Sequence, residues 1–157
     1  MSIRLYLDTN VLCRPFDDQT IARIRRETEA FERILEKIRN DDAVYFSSEV
    51  LVFEIERIIS PAKKAKVLAY LDLSTGFHAA SEQTVVIADE IMEKFKLKPR
   101  DALHAASGLM GGSQYFLSCD DGVTRRFRRK PLSLVVENDV RSLEVMNPEN
   151  FVERMRW

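Results

Sequence analysis

The chain opens on a short apolar run, Ile3–Leu7, in which Leu5, Tyr6 and Leu7 stand side by side without the alternation of a half-exposed strand. Such a run predicts a buried strand of a parallel sheet. From Thr20 to Asn40 (TIARIRRETEAFERILEKIRN) the period lengthens. Ile24, Phe31, Ile34, Leu35 and Ile38 form one stripe and Glu–Arg and Glu–Lys pairs occupy the other face, which predicts an amphipathic helix. Ala43–Phe46 reads as a second strand, Ser48 as the cap of a helix to about Ile59, and Pro61 as the start of another reaching about Leu73. A brief strand is expected near Gly76–Ala79. Ser81–Lys96 reads as a helix capped by Ser81, with Val85, Ala88, Ile91, Met92 and Phe95 facing inward. Pro99 begins a helix in KPRDALHAASGLMG that the Gly111-Gly112 pair ends, and Tyr115–Ser118 is another buried strand. Leu143–Met146 reads as a last strand and Pro148–Met155 as a last helix, while Leu132–Val140 fits either type. Strands alternating with helices predict an α/β fold built on a parallel sheet with right-handed crossovers.

Composition narrows this only a little. The 157 residues suit one domain, 1–157, with 45% hydrophobic and 31% charged residues, the balance of a soluble globular protein. The N-terminus has no apolar segment of signal-peptide type, and no apolar run approaches membrane-spanning length. Cys13 and Cys119 are too few and too far apart for a disulfide framework, so the expected setting is a reducing cytoplasm without membrane association. A formal net charge of −1 predicts no partner.

The placement of the acids says more. Asp8 follows the first strand in YLDTN, and Asp120 follows YFLSC, so two acids fall at the carboxyl edge of the expected sheet, where open α/β sheets bind ligands. Asp8, Thr9 or Asn10 would equally serve as a helix cap. Asp101 lies in the first turn of the helix opened by Pro99, where an acid also answers the helix dipole, and shares a face with His104, Ala105 and Gly108. Small residues there allow a close approach to the sheet edge or to a nucleic-acid backbone. On the helix after Ser48, Glu49 and Glu56 fall on the polar side, whereas the neighbours of Glu54 are Val50, Leu51 and Ile58. A carboxylate on an apolar stripe snorkels, pairs with a buried cation, or binds a metal. Four acids without a His or Cys cluster suit a hard divalent cation, Mg²⁺ or Mn²⁺, and not zinc. Such carboxylates position an ion that activates water for attack on a phosphodiester.

The pieces LDTNVL (7–12), SEVLVFEIER (48–57), RDALHAA (100–106), FLSCDDG (116–122) and VMNPENF (145–151) together resemble, in order, PIN-domain nucleases of the VapC toxin type. The resemblance implies a five-stranded parallel sheet with helices on both faces and Mg²⁺-dependent cleavage of single-stranded RNA. It makes Asp8, Glu54, Asp101 and Asp120 the catalytic, metal-binding acids, with Thr9 or Asn10 steadying the first and Ser118 standing where the family often has Thr. It also implies a homodimer and a cognate antitoxin as partners. Two features depart from the pattern. The last acid is doubled, so Asp121 competes with Asp120 as ligand, and residues 131–142 are longer than a compact toxin needs.

A basic segment, TRRFRRK, then supplies Arg125, Arg126, Arg128, Arg129 and Lys130 with no acid among them, suited to RNA or simply to solvent. Phe127 within it is expected to pack inward. Competing readings are weaker. An aspartyl phosphatase would want an acid where Asn10 stands, a receiver-like module would leave Glu54 and Asp101 unexplained, and a PIN-like domain that binds RNA or a partner without cutting is separated from a nuclease by metal-dependent turnover.

Overall fold

The computed structural model describes residues 2–157. Its elements are β1 (Ile3–Leu7), α1 (Thr9–Cys13), α2 (Ala22–Arg39), β2 (Ala43–Ser48), α3 (Glu49–Glu56), α4 (Pro61–Leu71), β3 (Gly76–His78), α5 (Glu82–Phe95), α6 (Pro99–Met110), β4 (Tyr115–Leu117), α7 (Asp121–Thr124), β5 (Leu132–Val136), β6 (Asp139–Met146) and α8 (Pro148–Met155). The sheet order is β3-β2-β1-β4-β6-β5. Five strands run parallel, and β5 is added antiparallel to β6.

The adjacent apolar residues of β1 serve two cores at once. Leu5 and Leu7 pack with residues of α1, α2, α3, α4 and α8 on one face, and Tyr6 with α5 and α6 on the other. That two-sided burial is why the strand reads as a continuous apolar run, and it produces the three-layer α/β/α arrangement.

Residues 131–142, of which Leu132–Val140 fits either a helix or a strand by pattern, form most of a hairpin. Glu137 (φ 52°) and Asn138 (φ 70°) make its two-residue turn, a conformation that suits the twist of the strands it joins. Leu132, Leu134 and Val136 face the core, while Val135 and Val140, paired across the ribbon, are exposed. The last strand therefore begins at Asp139 and not at Leu143.

Two helix faces differ from expectation. In α5 the buried face is Thr84, Ile87, Ala88 and Ile91, and Val85 is 50% exposed. The capping box between Ser81 and Thr84, with His78 Nε2 2.9 Å from Thr84 Oγ1, turns Thr84 inward and rotates Val85 off the core face. In α2 the stripe from Phe31 to Ile38 is buried, but Ile24 is only half-buried and the helix begins at Ala22, not Thr20. Glu27 and Thr28 are buried in its place. Glu27 is held by Arg14 (Nε 2.9 Å, Nη2 2.7 Å), by Arg23 and by the amide of Asn147. No helix among the described residues is long and apolar enough to cross a membrane.

Candidate active site

The site begins with a close helix–sheet contact. A Cβ at Gly108 would lie 3.3 Å from Cβ of Tyr6, tighter than most such contacts, so glycine at this position eases the close approach of α6 to β1. One turn earlier on the same face, His104 is 1% exposed, and its Nδ1 lies 2.7 Å from the Tyr6 hydroxyl. The Tyr6 hydroxyl also lies 2.6 Å from Ser48 Oγ, which caps α3 by accepting from the Leu51 amide. Nε2 of His104 lies 2.5 Å from Glu54 Oε1 and 3.7 Å from Asp8 Oδ1. Because an ionised carboxylate can only accept, Nε2 carries the proton there. Nδ1 can accept from Tyr6 or, when protonated, donate to it, with the Tyr6 hydroxyl then turning to Ser48. The row thus holds or releases a proton without losing a hydrogen bond.

Asp8 sits at the N-cap position of α1, yet its side chain makes no cap. Its Oδ2 accepts from Ser118 Oγ (2.8 Å) and from the Asn10 amide (3.2 Å). Asn10 Oδ1 accepts from the Cys119 amide at 3.0 Å, and Ser118 Oγ accepts from the Asp120 amide at 3.1 Å, which ties the ends of β1 and β4 together. Thr9 turns the other way and donates to Glu54 Oε1 at 2.5 Å. Glu54 also meets Arg100 Nη1 at 3.3 Å, and Glu49 and Glu56 are exposed. Asp8, Glu54 and His104 can each offer one ligand atom, all within 4.8 Å of one another.

The last acids diverge. Asp120 caps α7 by accepting from the Gly122 amide and stays exposed, whereas Asp121 is drawn into a two-pronged pair with Arg23 (2.7 and 2.9 Å) and meets Arg125 at 3.5 Å. Asp121 instead lines a cleft of about 550 Å³ with Arg23, Arg128, Arg129, Lys130 and Asn147. Among the described residues Arg126, Arg128, Arg129 and Lys130 form no ion pair. Phe127 is buried against Phe95, its ring centre 5.1 Å away.

The electrostatics mark a crowded acid site. Burial pushes the Asp8 carboxyl above its ordinary range, opposed by His104 and Ser118. Burial and then the charges of Asp8 and Asp120 raise Asp101. Burial alone would raise Glu54, but the hydrogen bond and charge of His104, with Thr9 and Arg100, hold it below its ordinary value. Burial alone would lower His104, and its bond to Glu54 together with the surrounding acids raises it instead. The sign for stability follows. The His104 contribution is complete below its ordinary 6.5 and lost as pH rises through the raised folded value, while ionising Asp8 and Asp101 above their ordinary 3.8 costs the fold. Glu54 acts oppositely, losing its contribution only as pH falls through a value below 4.5. In chelator the melting temperature should therefore fall as pH rises above 6.5 toward alkaline values, as His104 gives up its proton while the acids around it stay ionised. A profile that stays flat or rises above 6.5 would contradict this balance.

A PIN domain family model matches residues 5–130. The chain belongs to the PIN domain family. No curated protein matches its sequence. PIN domains are generally metal-dependent nucleases acting on nucleic acids, and the acids gathered here fit a divalent cation. The donor set agrees, because the one nitrogen ligand within reach is already engaged by Glu54, leaving oxygen donors that suit a hard ion. Sequence reasoning missed His104 and Tyr6 as parts of this PIN site. The available signals were the shared face of Asp101 and His104 and a hydroxyl set between Leu5 and Leu7 in the buried half of β1.

Proposed function

We propose that this PIN domain is a Mg²⁺- or Mn²⁺-dependent endoribonuclease that cuts single-stranded RNA, with Asp8, Glu54, Asp101 and Asp120 as its catalytic, metal-binding acids. The observation that carries the reading is the convergence of Asp8 and Glu54 on the sheet edge, and the charges of Asp8 and Asp120 are felt in turn at Asp101. A bound divalent ion supplies activation of water and neutralisation of the leaving oxygen. The protein's own part is orientation. Ser118 and Asn10 fix Asp8, and Thr9 and His104 fix Glu54, so the carboxylates are held before substrate arrives. Asp121, committed to Arg23, instead anchors the start of the basic segment, which favours Asp120 as the acid facing the site.

Cleavage of an unstructured RNA should vanish in EDTA and return with Mg²⁺ or Mn²⁺. Turnover by metal-stripped protein would remove this mechanism, and binding without turnover in any metal would leave a non-catalytic PIN domain. Neutralising Arg125, Arg126, Arg128 and Arg129 together should weaken RNA binding and flatten its salt dependence, since every phosphate left without its cation lowers the slope by about 0.7 for a single strand. An unchanged slope would return the segment to solvent. A cytoplasmic toxin role with an antitoxin partner and a homodimeric state follow from the VapC-type motifs. A small DNA-binding protein encoded next door, and a dimer by sedimentation, are the supporting results.

A further inference from the structure

Beside Glu54, on the solvent side of α3, the ring of Phe53 is 48% exposed. The guanidinium carbon of Arg57 lies 4.6 Å from its ring centre and that of Arg100 lies 5.9 Å away. Other large apolar side chains are exposed, among them Ile59, Phe77, Val135 and Val140, but Phe77 is the only other aromatic of that group and among the described residues no cation lies over its ring. Scattered exposed apolar groups need no explanation. An exposed aromatic one residue from a candidate metal-binding acid, with two guanidinium groups on it, does.

Arg100 ties this group to the acid centre. It leaves the first turn of α6, one residue before Asp101, and reaches Glu54 Oε2 at 3.3 Å while lying against Phe53. Arg57 closes α3 and makes no ion pair among the described residues, so its charge is available to an anion. An aromatic face with adjacent guanidinium groups is the combination that takes one nucleotide of a single strand, the base stacking and the phosphate meeting the cations. We propose that Phe53, Arg57 and Arg100 form a nucleotide subsite beside the cleavage centre, which stacks one unpaired base of the RNA. This rests on the endoribonuclease reading. The Arg125–Lys130 segment lies beyond Asp120, so the acid centre stands between two strand-binding surfaces and the RNA crosses the sheet edge from α3 toward α7.

The test is binding of a labelled, unstructured oligoribonucleotide by fluorescence anisotropy in chelator, where no cleavage intervenes. Phe53→Ala should bind roughly tenfold more weakly, the loss of one stacked base. Phe53→Leu, apolar but without a π-face, should be equally weak, and Phe53→Trp should bind at least as well as the native protein. Removing the bases of the RNA one position at a time should cost the native protein the same factor at a single position and cost Phe53→Ala nothing there. Leucine binding like phenylalanine, or alanine binding like the native protein, would overturn the subsite and assign the exposed ring to a protein contact. The native protein's metal-dependent cleavage distinguishes the two levels. If it cuts RNA while the Phe53 variants bind normally, only the subsite fails. If it neither binds nor cuts RNA, the reading beneath it fails as well.

Discussion

Glu54→Gln is expected to lower metal-dependent RNA cleavage by more than about a hundredfold while leaving the protein folded. Groups that merely orient a metal ligand typically cost about 10–100-fold when removed, so a ligand itself should exceed that range. The effect on stability is smaller than a buried ion pair would suggest. Removing one member of such a pair costs about 3–5 kcal/mol when it strands the other charge. Here neither partner is stranded. The side chain of Arg100 is 58% exposed and returns to water, and His104 can release its proton while keeping Tyr6. The amide also retains an oxygen for Thr9, so a loss of about 1 kcal/mol is expected. Glu49→Gln and Glu56→Gln, on the exposed side of α3, should change activity little and stability by less than about 0.5 kcal/mol. Melting with and without Mg²⁺, alongside cleavage, decides the matter. An inactive variant that melts near the native temperature and shifts less on adding Mg²⁺ is the expected result, and one that cuts normally would remove Glu54 from the site.

Glu27→Gln should do the reverse. The Glu27 side chain has no exposed surface and joins Arg14, Arg23 and Asn147, which brings the end of α1, the start of α2 and the cap of α8 to one point. Arg14 is only 19% exposed at its side chain and cannot discard its charge, so the substitution leaves a cation without its partner. A loss of about 3 kcal/mol is expected, at the low end because Arg14 retains Asp17. For a chain of this size that corresponds to a fall of roughly 6–12 °C in melting temperature. The folded fraction should still cleave RNA, since none of these groups touches Asp8 or Glu54. A variant melting within about a degree of the native protein would show the carboxylate to be dispensable.

What could be read from the chain follows from what carries a period. Parallel strands buried on both faces announce themselves as unbroken apolar runs, and helix starts at Ser48, Pro61, Ser81 and Pro99 follow from caps and prolines that act locally. The polar and apolar sides of α3 were legible for the same reason, since Glu54 is partly buried and Glu49 and Glu56 are not. Tertiary pairing has no such local mark. Helical spacing places Glu27 between Ile24 and Phe31 on the apolar stripe and Glu29 among Arg25, Arg26, Glu32 and Arg33. Nothing in ARIRRETEAF names the partners of Glu27, however, because Arg14 and Asn147 come from elsewhere in the chain. The same holds for Thr9, whose bond to Glu54 spans 45 positions, and for the Tyr6–His104 contact, which spans 98. Leu143–Met146 was legible as a strand, but Leu132–Val140 stayed ambiguous because the hairpin turn uses Glu137 and Asn138 where a glycine would have signalled it.

The family match ends at residue 130, but the sheet does not. β6 lies directly against β4, and the Ser118 amide donates to the Met146 carbonyl at 3.1 Å. The strand whose end presents Ser118 and Asp120 is therefore pinned by the last strand to be synthesised. A fragment trimmed to the matched residues would retain every candidate acid yet leave one side of β4 unpaired and Phe116 uncovered by Leu143 and Val145. During translation the candidate acid centre likewise gains its final support only after residue 146 has emerged, some time after the last of its acids.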